Sequence, residues 1–236
     1  MNTQREQLIQ TWLQATLQSD QFEINFLAGD ASFRRYARIK LQNKTYMLMD
    51  APPEKEDCIP FVSIDEFFDK NGVRVPHIVA KDLTLGLLLL EDFGDVVLST
   101  LLNDQTVDQY YAQSFKQLIE LQQINGDTQL PAYSYEKLMT EMRLLTDWML
   151  PSLKIQPTEQ QLETIEQAFD FLAIEATNQP QVIVHRDFHS RNLMKIENEQ
   201  ELGVIDFQDA VVGADTYDLI SITRDAYVQW NAERVY

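Results

Sequence analysis

Cysteine is nearly absent from this 236-residue chain, which contains only Cys58. One thiol excludes an intrachain disulfide and suits a reducing compartment, so the expected localisation is cytoplasmic. Positive charge is also scarce: 19 Lys and Arg against 37 Asp and Glu give a formal net charge of −18. That is the wrong sign for a polyanion, because phosphate backbones are gripped by Lys and Arg, and nucleic acid is not an expected partner. Long apolar runs are missing. The longest, around 87–90, is far short of the roughly 20 residues that cross a bilayer, so no membrane partner is expected either. The N-terminus has no basic segment followed by an apolar one, as a secretory signal would. Repeats and low-complexity tracts are absent, and nothing marks an obligate protein partner. What remains is 44% hydrophobic and 24% charged, an ordinary soluble composition long enough for one large domain or two lobes.

The chemistry is concentrated in residues 181–210, QVIVHRDFHSRNLMKIENEQELGVIDFQDA. Short apolar runs at 182–184, 193–196 and 202–205 read as strands. The loop after the first presents His185, Arg186 and Asp187, then Asn192, and the third strand delivers Asp206. Phosphoryl transfer needs a carboxylate to take the proton of the attacking hydroxyl and magnesium to hold the phosphates. Magnesium is hard and prefers oxygen donors. Asp187 fits the base; Asn192 and Asp206 fit the metal. H-R-D-x-x-x-x-N followed by a strand ending in Asp is the protein-kinase pattern, so ATP and Mg2+ are the expected cofactors. The plainer reading of Asp187 and Asn192 is turn chemistry, which leaves the second Asp without a role. His185 and His189 have a helical zinc spacing. However, Arg186 stands where a zinc protease needs Glu, and the segment reads as strand and loop, which excludes zinc.

Upstream, residues 4–18 read as a helix with Leu8, Trp12 and Leu13 on one face. Strands follow at 22–27, 33–41 and 45–50. Between the first two lies a turn containing Gly29, Asp30, Ser32, Phe33, Arg34 and Arg35. A kinase covers its phosphates with such a turn, but an ordinary hairpin also carries one glycine, and both readings stand. Residues 57–71 form a predicted helix with Phe61, Ile64 and Phe68 on one face and Asn71-Gly72 as its stop. Strands are predicted at 73–79 and 85–90. The stretch Glu91-Asp92-Phe93-Gly94 is then a hinge against whose backbone a nucleotide base could rest, with Glu91 and Phe93 as candidate contacts. That places a nucleotide-binding lobe at 1–91 and a catalytic lobe at 92–236. Helices are predicted after Thr106 with Gln109 as its capping partner, at 134–150 up to Pro151, after Thr158 with Gln161, and at 217–230. The fold class is α+β: an antiparallel sheet with one helix, then a mainly helical lobe carrying the catalytic hairpin.

HRDFHSRNLM and IDFQDA resemble the aminoglycoside phosphotransferase and choline kinase group, small-molecule kinases with a protein-kinase-like two-lobed fold. DASFRRYAR at 30–38, MDAPPEKEDC at 49–58 and DFQDAVVGADTYDL at 206–219 narrow the likeness to bacterial anomeric amino-sugar kinases, which phosphorylate N-acetylmuramate and N-acetylglucosamine during cell-wall recycling. The resemblance implies ATP and a small-molecule amino sugar as partners. It also implies Asp187 as base, Asn192 and Asp206 as magnesium ligands, and His185 and Asp218 as supports of the catalytic loop. Asp218 reads equally as an acid favoured by a helix N-terminus. Gln208 and Asp209, beside the metal ligands, either meet the sugar or are turn residues. Two departures stand out. The third strand, Tyr46-Met47-Leu48-Met49-Asp50, has no Lys for the phosphates, which leaves Arg34 or Arg35, then Lys44, as candidate cations. Relatives continue past the equivalent of Tyr236, so the catalytic lobe is expected to be incomplete at its C-terminus, with apolar helix faces exposed. An aminoglycoside or choline-type kinase shares every catalytic residue, and a non-catalytic nucleotide-binding pseudokinase is the alternative of another class.

Overall fold

The computed structural model describes residues 3–28, 33–124 and 130–231. In chain order its first elements are α1 (Thr3–Leu17), β1 (Glu23–Phe26), β2 (Arg35–Leu41), β3 (Lys44–Asp50), α2 (Ile59–Lys70), β4 (Ile78–Asp82) and β5 (Leu87–Glu91). Helices α3 (Val107–Gln122), α4 (Tyr135–Met142), α5 (Leu150–Ser152) and α6 (Glu159–Asn178) come next. The last elements are β6 (Gln181–Val184), β7 (Leu193–Lys195), β8 (Leu202–Val204), β9 (Val211–Ala214) and α7 (Tyr217–Thr223). Two compact units result: Met1–Leu101 with Asn192–Gln208, and Leu102–Arg191 with Asp209–Tyr236. The α+β class is the one expected. The sequence reading draws a single cut after residue 91, whereas here the β7–β8 hairpin belongs with the sheet rather than with the helices.

Unit one is built on a five-stranded antiparallel sheet ordered β1-β2-β3-β5-β4. Strand side chains alternate between faces. Ile39, Leu48, Leu87 and Leu89 therefore bury against Ile9 and Leu13 of α1. Helix α2 forms as predicted. Pro60 sits in its first turn, and the Asp57 carboxylate accepts the Ile59 N–H at 2.8 Å. Gly72, at φ +83°, ends it in a backbone region closed to most side chains. Its buried face carries Phe61 and Phe68, whose rings meet Phe207 at centroid distances of 5.0 and 5.9 Å. The buried Asp50 closes β3 and is held by both Arg5 and Arg35. The strand predicted at 73–79 is a correction. Val73 and Val75 are buried, but the Arg74 carbonyl takes one hydrogen bond, from the Val204 N–H at 2.7 Å, and the strand β4 begins only at Ile78.

In unit two, β6 pairs antiparallel with β9, a strand the sequence reading lacked. Helices α4 and α6 pack through Met139, Phe169 and Ala173. The capping box of α6 is present: Thr158 accepts the Gln161 N–H at 3.3 Å, and Gln161 Oε1 accepts the Thr158 N–H at 2.9 Å. Three predictions are corrected. Thr106 does not cap α3, because its hydroxyl instead accepts the Asn103 N–H at 3.1 Å. The helix predicted at 134–150 changes to a π-helical turn at Leu145–Met149, and Pro151 then lies inside α5, in a first turn where no N–H is needed. The helix predicted at 217–230 stops at Thr223, because Asp225 is drawn into accepting the Ser190 and Tyr227 N–H groups at 2.8 and 2.7 Å. Apolar side chains such as Trp148, Phe171 and Ile220 are exposed. Among the described residues, no helix is long and apolar enough to cross a membrane.

Candidate active site

Unit one encloses a cavity of about 340 Å³, and residues 91–94 form part of its wall. Two arginines fix that segment. Arg74 donates to both Glu91 oxygens at 2.7 and 2.6 Å, and Arg38 to both Asp92 oxygens at 2.6 and 3.0 Å. The Arg74 bonds hold the Glu91 carboxyl below its usual range. Phe93 is clasped between the Arg74 guanidinium, 4.7 Å from its ring, and Gly203, where a Cβ would come within 2.3 Å of the ring. Only glycine permits that approach. The other walls include Met47 and Leu90, on the sheet face opposite α1, with Met194 and Ile205 from the β7–β8 hairpin.

Asn192 and Asp206 stand at the two ends of that hairpin, which the Ile205 N–H closes onto the Asn192 carbonyl at 3.1 Å. Their side chains meet at 3.4 Å, and both line the cavity. Gln208 Nε2 donates to Asp206 Oδ1 at 2.9 Å. The Asp206 backbone has φ +64°, an uncommon state for a residue with a side chain, of the kind kept at functional sites. The fully buried Phe207 ring, seated on Phe61 and Phe68, holds it there. An amide oxygen and a carboxylate within reach of one ion suit magnesium, which takes its remaining ligands from phosphates and water. Among the described residues, no cluster of three His, Cys, Asp or Glu could hold a metal alone.

Of the predicted turn, Gly29, Asp30 and Ser32 lie outside the described residues. Phe33 is exposed beneath Lys55. Arg34 lines the cavity. Arg35 turns to Asp50 and lies over the Phe26 ring at 5.1 Å. Lys44 is exposed and pairs with Leu41, at the opposite end of the β2–β3 ladder from Arg35 and Asp50.

Unit two holds the other candidates. The exposed Asp187 follows a loop whose backbone is pinned: the His185 and Arg186 N–H groups donate to buried Asp218 at 2.6 and 3.1 Å. His185 is fully buried, and its Nδ1 accepts the Asp187 N–H at 3.3 Å. Arg186, at φ +77°, donates to Glu141 at 2.7 Å and to the Asp209 carbonyl at 3.4 Å. The Asp209 side chain is exposed. Burial pushes the Asp218 carboxyl up to about 7; the two N–H bonds pull it down, and the Asp187 charge adds to the rise.

Unit one thus brings together Asn192, Asp206, Gln208, Arg34, Glu91 and Phe93, while unit two gathers His185, Asp187, Asp209 and Asp218. Sequence reasoning missed Tyr36, Glu56 and the Arg38 and Arg74 clamps. Period-two alternation places Arg34, Tyr36 and Arg38 on one side of β2, and that signal was legible.

A sequence model described as the phosphotransferase enzyme family matches residues 23–236. The chain is 39% identical over 209 residues to an N-acetylmuramate/N-acetylglucosamine kinase of Pseudomonas putida, covering 88% of this chain and 61% of that protein. To a Neisseria meningitidis protein of the same name it is 35% identical over 238 residues, covering 98% of this chain and 70% of that protein. The chain therefore spans about three fifths of the length of the Pseudomonas relative, the 61% just given. Among solved structures, the aminoglycoside phosphotransferase APH(2")-IIa in complex with gentamicin aligns with a TM-score of 0.67 at 17% identity, covering 97% of this chain and 78% of that one. At that identity the likeness speaks for the fold alone.

Proposed function

The chain belongs to the phosphotransferase enzyme family, and from that premise we propose that it transfers the γ-phosphoryl group of ATP to an amino-sugar hydroxyl, the anomeric one of N-acetylmuramate or N-acetylglucosamine. The acceptor follows the names of the Pseudomonas and Neisseria relatives. A role in cell-wall recycling is consistent with the same names, and a cytoplasmic location is part of this reading. The observation that carries the reading is the Asn192–Asp206 pair, 3.4 Å apart on the wall of a cavity bounded by the clamped segment 91–94. In this reading the cavity takes the nucleotide, its base against residues 91–94 and its phosphates toward Asn192 and Asp206. Magnesium, when bound there, neutralises the charge that shifts among the phosphates. Asp187 orients the acceptor hydroxyl and takes its proton late in the transfer. His185 and Asp218 keep the backbone around Asp187 fixed, and Gln208 and Asp209 contact the sugar.

The test is to incubate the chain with ATP, magnesium and a panel of amino sugars, aminoglycosides and choline, and to read products by phosphorus NMR. A phosphate on the anomeric oxygen of an amino sugar is expected. Transfer to an aminoglycoside or choline instead, or ATP binding with no transfer to any acceptor, would overturn the reading.

A further inference from the structure

A triphosphate entering the cavity of unit one meets Glu91, Asp92 and Asp206 in its wall, and the lysine of β3, Lys44, is exposed at the start of the strand and does not line the cavity. Among the described residues lining the cavity, Arg34 is the only basic one. We infer that Arg34 is the phosphate-binding cation of this chain, and that Glu56 is the positioning residue that aims it. The inference rests on the nucleotide reading above and deepens it.

Arg34 stands just before β2, two residues from Tyr36, so both project from one side of the strand. Its side chain is 13% exposed, and Nε and Nη2 donate to one Glu56 oxygen at 3.0 and 2.6 Å. The Tyr36 hydroxyl is a second partner, and that phenol also feels the Asp206 carboxylate. Arg34, Tyr36 and Asp206 all line the one cavity. In protein kinases a third-strand lysine paired with a glutamate grips the α- and β-phosphates. Here the arginine lines the cavity from the position before β2, and its glutamate, Glu56, is supplied by the loop that leads into α2. A guanidinium has five N–H donors, more than one carboxylate uses, and its planar fork matches phosphate oxygens. The competing cations are committed elsewhere. Arg35 is held by Asp50, Arg38 by Asp92 and Asp95, Arg74 by Glu91 and Glu199, and none of the three lines the cavity.

Calorimetry on the full chain with magnesium compares ATP with adenosine, which has the base and no phosphate. Arg34→Gln is expected to weaken ATP by about 10- to 100-fold, the worth of a charged hydrogen bond or two, and to change adenosine by less than about two-fold. Arg34→Met keeps the buried aliphatic stem and gives the same split should the glutamine variant unfold. Glu56→Gln, which leaves the charge but loosens its aim, weakens ATP by a smaller factor and again spares adenosine. A merely structural role would move both ligands together, and that result would overturn the inference. So would an ATP-specific loss in Lys44→Gln with Arg34 variants unaffected. Native chain that binds ATP as well as its Arg34 variants do sinks this inference and leaves the proposed function standing. Native chain that binds neither ligand sinks both.

Discussion

The two units fasten their chemistry-bearing loops by different physics. In unit one, Asp206 is placed by its neighbour Phe207, a ring packed on Phe61 and Phe68. In unit two, the loop carrying Asp187 is placed by carboxylates: Asp218 takes two backbone N–H groups, and Asp225 takes that of Ser190. Packed rings do not titrate. A buried carboxylate does, and burial puts Asp218 at about 7. The first fastening is indifferent to pH and the second is not, so a single pH profile of the molecule mixes two unlike contributions.

The sharpest separation comes from chemistry. Asp187→Asn is expected to lower turnover by roughly 10²–10⁴-fold, the usual worth of a positioned base, with ATP affinity unchanged in the calorimeter. Asp206→Ala should do the reverse in kind, abolishing the magnesium dependence of ATP binding; a titration with magnesium that looks native would remove Asp206 from the metal. For the fastenings, Phe207→Ala should cost about 3–5 kcal/mol in denaturant unfolding, the same at pH 5 and pH 8. A cost that varied with pH would break the comparison. Asp218→Asn should cost about 1–3 kcal/mol, since one of two backbone donors loses its acceptor. Its pH signature is the stronger test. The folded carboxyl lies at about 7 against an ordinary 3.8, so its contribution is whole below about pH 4 and is lost as the pH climbs through 7. The native chain should therefore lose stability over that window, and the variant should lose less. Asp65 on α2, also pushed up to about 7 by burial, contributes a parallel slope, so amide protection at His185 and Arg186 is the readout specific to unit two. The smallest effect is expected far from both loops: Thr158→Ala should cost about 1 kcal/mol by removing the cap of α6.

Where local chemistry decides, the sequence was readable. The α2 face, its Asn71-Gly72 stop and the Thr158–Gln161 box all follow from residues a turn apart. The H-R-D-x-x-x-x-N spacing is similarly local, whereas Asp206, 14 residues from Asn192, was legible only as the end of the third predicted strand. Strand β9 was not, because its partner β6 lies some thirty residues away, and strand preference depends on the pairing rather than on the segment. The early end of α7 was hidden because Asp225 is claimed by backbone donors at 190 and 227, a tertiary demand that overrides helix propensity. Arg34 and Arg35 are adjacent and alike in sequence. Only strand alternation and the burial of Asp50 send one to the cavity and the other to the Asp50 carboxylate, which Arg5 also holds.

The hairpin that completes unit one has a consequence for synthesis. A ribosome that has delivered the first hundred residues has made every strand of the sheet, yet Phe61 and Phe68 of α2 still lack the ring that covers them, because Phe207 is a hundred codons away. The nascent sheet must wait, with an oily helix face uncovered, while the intervening ninety residues emerge. During that interval a holding chaperone would find its substrate.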